Sequence, residues 1–206
     1  MGGEDAEHAR DCAPRGHLAA AAAAGEQLIG ERYTAVAIWL HWLVALGVLA
    51  QIGFGWALGE IPRATPERTI YVNLHKSTGM ILGVLILLRL AWRLTHKPPP
   101  LPASVPAWQK RAARASHGLL YACMLVMPLA GYAASNFSRF GVNFLNSFML
   151  PPWGANDRAI YAFLNGLHVW TSYLFVVLIA IHILAALKHL LVGRDGVFQR
   201  MWPLGR

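Results

Sequence analysis

Acidic residues are almost missing from the interior of this chain. No Asp or Glu lies between Glu31 and Glu60, between Glu67 and Asp157, or between Asp157 and Asp195. A di-iron carboxylate bundle is built on inward glutamates, so that class of metalloprotein is excluded. Cysteine is scarce too: Cys12 lies in a polar leader and Cys123 in an apolar run, at depths that could hardly be bridged, and no disulfide framework is expected. A Cys-x-x-Cys-His run is absent, which removes covalent haem attachment. With 14% charged and 56% hydrophobic residues, the 206-residue chain is one domain by length but too apolar for an ordinary soluble one. The formal net charge of +8 does not point to nucleic acid, because Lys and Arg fall between apolar runs rather than on one basic face.

What is present is hydrophobic length. Residues 1–32 mix acids, Gly, His8, His17 and a run of alanines, and they open with Glu4, Asp5 and Glu7 rather than the basic start of a secretory signal. They read as a disordered tail with solvated histidines, leaving 33–206 as the folded domain. Four apolar segments follow, approximately Thr34 to Leu58, Tyr71 to Leu94, Gln109 to Ala134 and Ala159 to Val192, each long enough to cross about 30 Å of hydrocarbon as a helix. The expected fold is all-α, an integral membrane four-helix bundle. Pro128 should kink the third helix. Trp39, Trp42, Trp56, Trp92 and Trp170 fall near segment ends, as in an aromatic belt.

The loops set the orientation. Arg93, Lys97, Lys110, Arg111 and Arg114 join helices two and three with no acid among them, and the C-terminal end adds Lys188, Arg194, Arg200 and Arg206. Retained positive charge marks the cytoplasmic side, so both termini are expected there. The Lys97 to Pro102 run, KPPPLP, reads as a stiff extended linker.

Depth then sorts the histidines. His168 and His182 lie fourteen residues apart on helix four, within about 40° of one face and about 21 Å apart in height. His41 near the inner start of helix one matches the level of His182, and His75 near the outer start of helix two matches His168. Polar side chains are costly in hydrocarbon, and four in two depth-matched pairs favour cofactor ligation over isolated interhelical hydrogen bonds. Catalytic zinc usually needs three protein ligands at one level, which this spacing does not give. Haem iron with two axial imidazoles fits better.

The same arithmetic places other residues. Gly55, fourteen after His41, should pass the outer cofactor and leave room for it; Gly79 and Gly83 share the His75 face, either as cofactor space or as small-residue helix packing. Arg89 should reach the inner cofactor's level, and it or Arg93 either pairs with a haem propionate or snorkels to lipid phosphate. His117 and His189 are left over at the inner side. They either handle a quinone, a role that otherwise wants a carboxylate and is expected to find none here, or face headgroups; His117 is also an alternative ligand to His41. His96 reads as interfacial.

The pattern resembles the bacterial cytochrome b561 family of dihaem integral membrane cytochromes. The resemblance is carried by IWLHWLVAL around His41, NLHKSTGMILGVLILLRLAWRL from Asn73, ASHGLLYACMLVMPLAGY around His117 and LHVWTSYLFVVLIAIHILAALKHLL in helix four, and spans roughly residues 32–202. It implies two haem b groups, ligated by His41 with His182 and by His75 with His168, in a bacterial inner membrane. Family members are electron carriers between the quinone pool and something at the outer face. One branch is similar to superoxide oxidases, which reduce ubiquinone, and there the quinone would lie near His117 and His189. Outer-face Arg63, Arg68, Lys76, Arg139 and Arg158 outnumber Glu60, Glu67 and Asp157, mildly favouring an anionic donor such as superoxide. Two other classes stand beside this: a membrane anchor relaying electrons for a peripheral dehydrogenase or hydrogenase, and a non-redox metal or proton transporter.

Overall fold

Each long helix begins where the sequence offers a cap or a proline. The structure is a computed structural model that describes residues 32–102 and 104–204; the expected tail up to residue 31, with His8 and His17, and Arg206 lie outside the described residues. Helix α1 spans Ala35–Glu60, and the Thr34 hydroxyl accepts from the Ala37 amide at its start. Helix α2 spans Pro66–Thr95, capped by Thr65 with Pro66 in its first turn. Helix α3 spans Ala107–Asn136 and runs through Pro128 without a break. Helix α4 spans Arg158–Lys188, with the Asp157 carboxylate accepting from the Ala159 and Ile160 amides. These side chains satisfy amides that a helix start would otherwise leave unpaired.

All four helices are long and apolar enough to cross a membrane. Val44 and Val48 of α1, Ile86 of α2, Leu120, Cys123 and Met124 of α3, and Phe175 and Leu178 of α4 meet in one core. The opposite faces remain apolar: Phe163 is 72% and Trp170 74% exposed. Side chains of that size on an outward helix face belong against lipid. α3 packs most extensively on α4, and α1 on α2.

The bundle has two unlike ends. At one, the segment after α4 folds back on α1: the Tyr33 amide donates to the Arg200 carbonyl, and the Trp42 indole donates to the Met201 carbonyl at 2.7 Å. Arg200, expected only as a charge marking the cytoplasmic side, is buried and donates to the Pro100 carbonyl of the α2–α3 linker. We call this the terminal end.

The other end carries an antiparallel hairpin that the all-α reading did not anticipate, β1 (Val142–Phe144) paired with β2 (Phe148–Leu150). It docks on the first half of α2. Asn73 accepts from the Asn143 amide, Ser77 accepts from the Leu145 amide at 2.8 Å, and Lys76 donates to the Gly141 carbonyl at 2.9 Å. The residues around His75 thus hold this cap in place.

Candidate functional site

The depth-matched histidines meet in space. His75 of α2 and His168 of α4 face each other with ring centroids 6.3 Å apart, near the hairpin end. His41 of α1 and His182 of α4 do the same near the terminal end, also at 6.3 Å. Metal–nitrogen bonds of about 2 Å on each side, with each ring centre about 1 Å beyond its nitrogen, put two imidazoles that hold one metal up to about 6 Å apart. Both pairs are spaced so that their two imidazoles would hold one metal ion between them. Among the described residues no three His, Cys, Asp or Glu side chains cluster as a metal site, which fits two-ligand chemistry better than a zinc centre.

The hydrogen bonds decide which ring nitrogen is available. Nδ1 of His168 donates to the Met127 carbonyl at 2.8 Å, because a carbonyl can only accept. That fixes the tautomer with a bare Nε2, the form a metal requires. Gly131 makes this contact possible, since a Cβ there would lie 2.9 Å from Nδ1. At His75, Nδ1 is buried without a hydrogen-bond partner, and so is Oε1 of Gln51. Gln51 is adjacent, donating its amide to the His75 carbonyl and to the Thr78 hydroxyl.

The terminal-end pair is set differently. Arg89 donates to Nδ1 of His41 at 3.1 Å and to the Tyr121 hydroxyl at 2.9 Å. A neutral ring that accepts at Nδ1 carries its hydrogen on Nε2. Metal ligation through Nε2 of His41 therefore needs Arg89 to give up this contact, which frees a cation for an anionic group beside the site. Arg89 and Arg93 line one small cleft with Tyr33, Leu40, Trp92 and Met201. His117 also reaches His182, at 5.5 Å between centroids, so His182 faces two imidazoles. His96 belongs to neither pair; it is exposed, stacked on Trp92, and lines the same cleft as Arg89 and Arg93.

The glycines divide. A Cβ on Gly55 would touch the His75 ring at 3.6 Å, so Gly55 passes the hairpin-end pair at the expected level. Gly79 meets Gln51 of α1, and Gly83 meets Pro128 of α3, both of which are helix-packing contacts. His189 lies beyond α4 in a single wider π-helical turn, His189–Gly193, and donates to Asp195 at 2.6 Å. The sequence reading expected no carboxylate there; the turn brings one back.

The sequence profile of prokaryotic cytochrome b561 matches residues 32–204, essentially the whole described bundle. The chain belongs to the prokaryotic cytochrome b561 family. It is 31% identical to cytochrome b561 homolog 2 of Escherichia coli K12, over 83% of this chain and 91% of that protein. It is 29% identical to cytochrome b561 homolog 1 of the same strain, over 84% and 97% respectively. The probable superoxide oxidase CybB of Yersinia pestis is 25% identical over 85% of this chain and 98% of its own length. This b561-family chain is an integral membrane protein of electron transfer that binds b-type haem.

Sequence reasoning missed Gly131, Gln51 and Asp195 at this cytochrome's site. Gly131 had a signal, a small residue one turn after Pro128 on the helix facing α4. Gln51 had one as well, as an uncharged polar residue in the apolar first segment. Asp195 had none, because only the π-helical turn and the reversal after it bring it to His189.

Proposed function

We propose that this protein holds two b-type haems, one between His75 and His168 and one between His41 and His182, and carries electrons between the outer face of the bacterial inner membrane and the quinone pool. The observation that carries the reading is the shared 6.3 Å separation of both pairs, with both partners of each drawn from different helices. When bound, each haem supplies reversible one-electron chemistry, tuned by its axial ligands and their hydrogen bonds. His168 contributes a bare Nε2 because Met127 holds Nδ1–H. Gly55 leaves space beside His75. Arg89, once released from His41, and Arg93 supply cations for propionates at the terminal end. His41 is preferred over His117 as the partner of His182 because its spacing equals that of the other pair.

The terminal end is cytoplasmic and the hairpin end periplasmic in this reading, since Lys97, Lys110, Arg111, Arg114, Lys188 and Arg194 gather at the former. The preferred donor is superoxide, supported by the likeness to a probable superoxide oxidase. Two of the expected cations are turned inward: Arg68 donates to the Leu58 and Ile61 carbonyls at the end of α1, and Lys76 to Gly141. Arg63, Arg139 and Arg158 remain exposed, matched in number by Glu60, Glu67 and Asp157, so the weight of the superoxide reading falls on the likeness. Two superoxide anions lose one electron each and become dioxygen, while one ubiquinone gains two electrons and two protons and becomes ubiquinol. His117 and His189 stand at the cytoplasmic end, where the quinone headgroup would bind.

The test is to mix superoxide with the purified holoprotein and a water-soluble ubiquinone analogue and to follow quinol formation. Quinol should form faster than superoxide dismutes by itself. Haem reduction no faster than dismutation rejects superoxide as the donor.

A further inference from the structure

Strand β2, Phe-Met-Leu, has no polar side. Successive side chains of a strand point to opposite faces, and a hairpin in water turns an apolar face to its support and a polar one to solvent. Phe148 and Met149 are neighbours on opposite faces of β2, yet they are 54% and 57% exposed. The turn before them adds an exposed Leu145 with φ 49°, at a place where a two-residue hairpin turn favours Asn, Asp or Gly. From Phe140 to Asn156 the chain carries no charged residue. An exposed apolar edge strand of this kind is an aggregation hazard in water unless something covers it.

The hairpin does not stand above the bundle but lies along the side of α2. Asn146 donates to the Ile70 carbonyl, Asn73 accepts from the Asn143 amide, Lys76 donates to the Gly141 carbonyl, and Ser77 accepts from the Leu145 amide. At 1.5 Å per residue these contacts fall roughly 6 to 16 Å along α2 from its start at Pro66. His75 lies within that stretch, so the hairpin sits at the height of the hairpin-end histidine pair. Ile70 and Tyr71 beside it are exposed, and the outward face of α2 continues through Ile81 and Val84, which meet lipid.

Polar side chains of α2 thus satisfy backbone groups of the hairpin, which is the condition for non-helical chain at membrane depth. β2 keeps an open edge, with no strand beyond it among the described residues. Hydrocarbon does not tolerate such an edge, whereas the hydrated headgroup layer does. Trp153, exposed and held at the end of α3 by its amide to Oδ1 of Asn136, stands where an interfacial indole belongs.

We propose that the hairpin is an interfacial anchor, inserted from the side of α2 into the membrane leaflet at its own end of the bundle. Leu145, Phe148 and Met149 lie among the acyl chains next to the headgroups, and the open edge of β2 faces headgroups and water. The partner is the lipid surface itself. The proposal depends on the bundle crossing a membrane and on neither the haem nor the quinone reading.

The experiment is power-saturation EPR on the holoprotein in nanodiscs of phosphatidylethanolamine and phosphatidylglycerol. Single nitroxides are attached at Phe148→Cys, Met149→Cys, Asn156→Cys or Trp170→Cys, in a background of Cys12→Ser and Cys123→Ala. Oxygen, which concentrates in lipid, should relax the labels at residues 148 and 149 more than a water-soluble nickel chelate does, as it should on the lipid face at residue 170. The chelate should dominate at residue 156. Dominance of the chelate at residues 148 and 149 places the hairpin in water and overturns the proposal. Weak relaxation by both reagents there means that a protein surface, a second copy or a peripheral subunit, covers the hairpin, and overturns it equally. Hydroxyl-radical footprinting of the unsubstituted holoprotein in the same nanodiscs checks this without a label. Met149 should oxidise several-fold more slowly than in the denatured chain, and equal rates overturn the proposal.

Discussion

Gly131 of α3 and His168 of α4 are so close that a single methyl group at residue 131 would stand 2.9 Å from Nδ1 of the imidazole. The ring lies along the α3 backbone at this point and donates to the Met127 carbonyl. Gly131→Ala must therefore push the ring off that carbonyl or spread the two helices. Overpacking of this kind costs about 1–3 kcal/mol. The variant should melt lower than the wild type and retain less of the hairpin-end haem, both read by absorbance on the purified protein. Full haem content at the wild-type melting temperature contradicts the close approach.

Gln51 governs the opposite ligand. Its amide nitrogen donates to the His75 carbonyl and to Thr78, while its own Oε1 and Nδ1 of His75 both lie buried without partners. One is an acceptor and the other a donor in the metal-binding tautomer, so the two are complementary in kind. Gln51→Leu keeps much of the volume and removes this acceptor. Loss of such an outer-shell partner typically costs 10–100-fold in metal affinity. Haem transfer to apomyoglobin should show the hairpin-end haem leaving faster by about that factor, with the other unchanged. Equal release of both haems argues against the assignment.

At the terminal end, His182 faces both His41 and His117. His41→Ala should remove the haem there, whereas His117→Ala should leave it bound and alter only its spectrum or quinone reaction. The reverse pattern makes His117 the ligand and leaves His41 to its hydrogen bond with Arg89.

Much of this was legible in the sequence because a membrane simplifies the reading. Apolar length marked the four spans, and the fourteen-residue interval on α4 fixed two heights that α1 and α2 had to match. The start of one helix was less legible: α2 begins at Pro66 rather than near Tyr71, since polar Glu67 and Arg68 masked the Thr65-Pro66 capping signal. The hairpin was missed because three-residue strands carry too little alternation to read, and its turn relies on Leu145 and Asn146 with positive φ. Gly79 and Gly83 were legible as a motif but not in their purpose, because helix packing and cofactor space call for the same small residues. Long-range partners such as Pro100 with Arg200 leave no local trace.

Acid should weaken the terminal end in a defined direction. The carboxyl of Asp195 is held below its usual range in the folded chain, so its contribution to stability is present above its unfolded value near pH 4 and is lost as pH falls through the lower folded one. Melting curves of the wild type and Asp195→Asn should therefore differ at neutral pH and converge on acidification. A gap that widens below pH 4 contradicts the sign.

The central claim is that two haems sit at two heights, each held by one histidine of α4. The most direct measurement is a potentiometric titration of the b-type absorbance in the wild type and in His168→Ala, with haem counted per chain. Two haems and two redox components are expected in the wild type. His168→Ala should keep one haem and one component, at the potential of the His41–His182 site. One haem per wild-type chain, or loss of both components in the variant, would contradict the account.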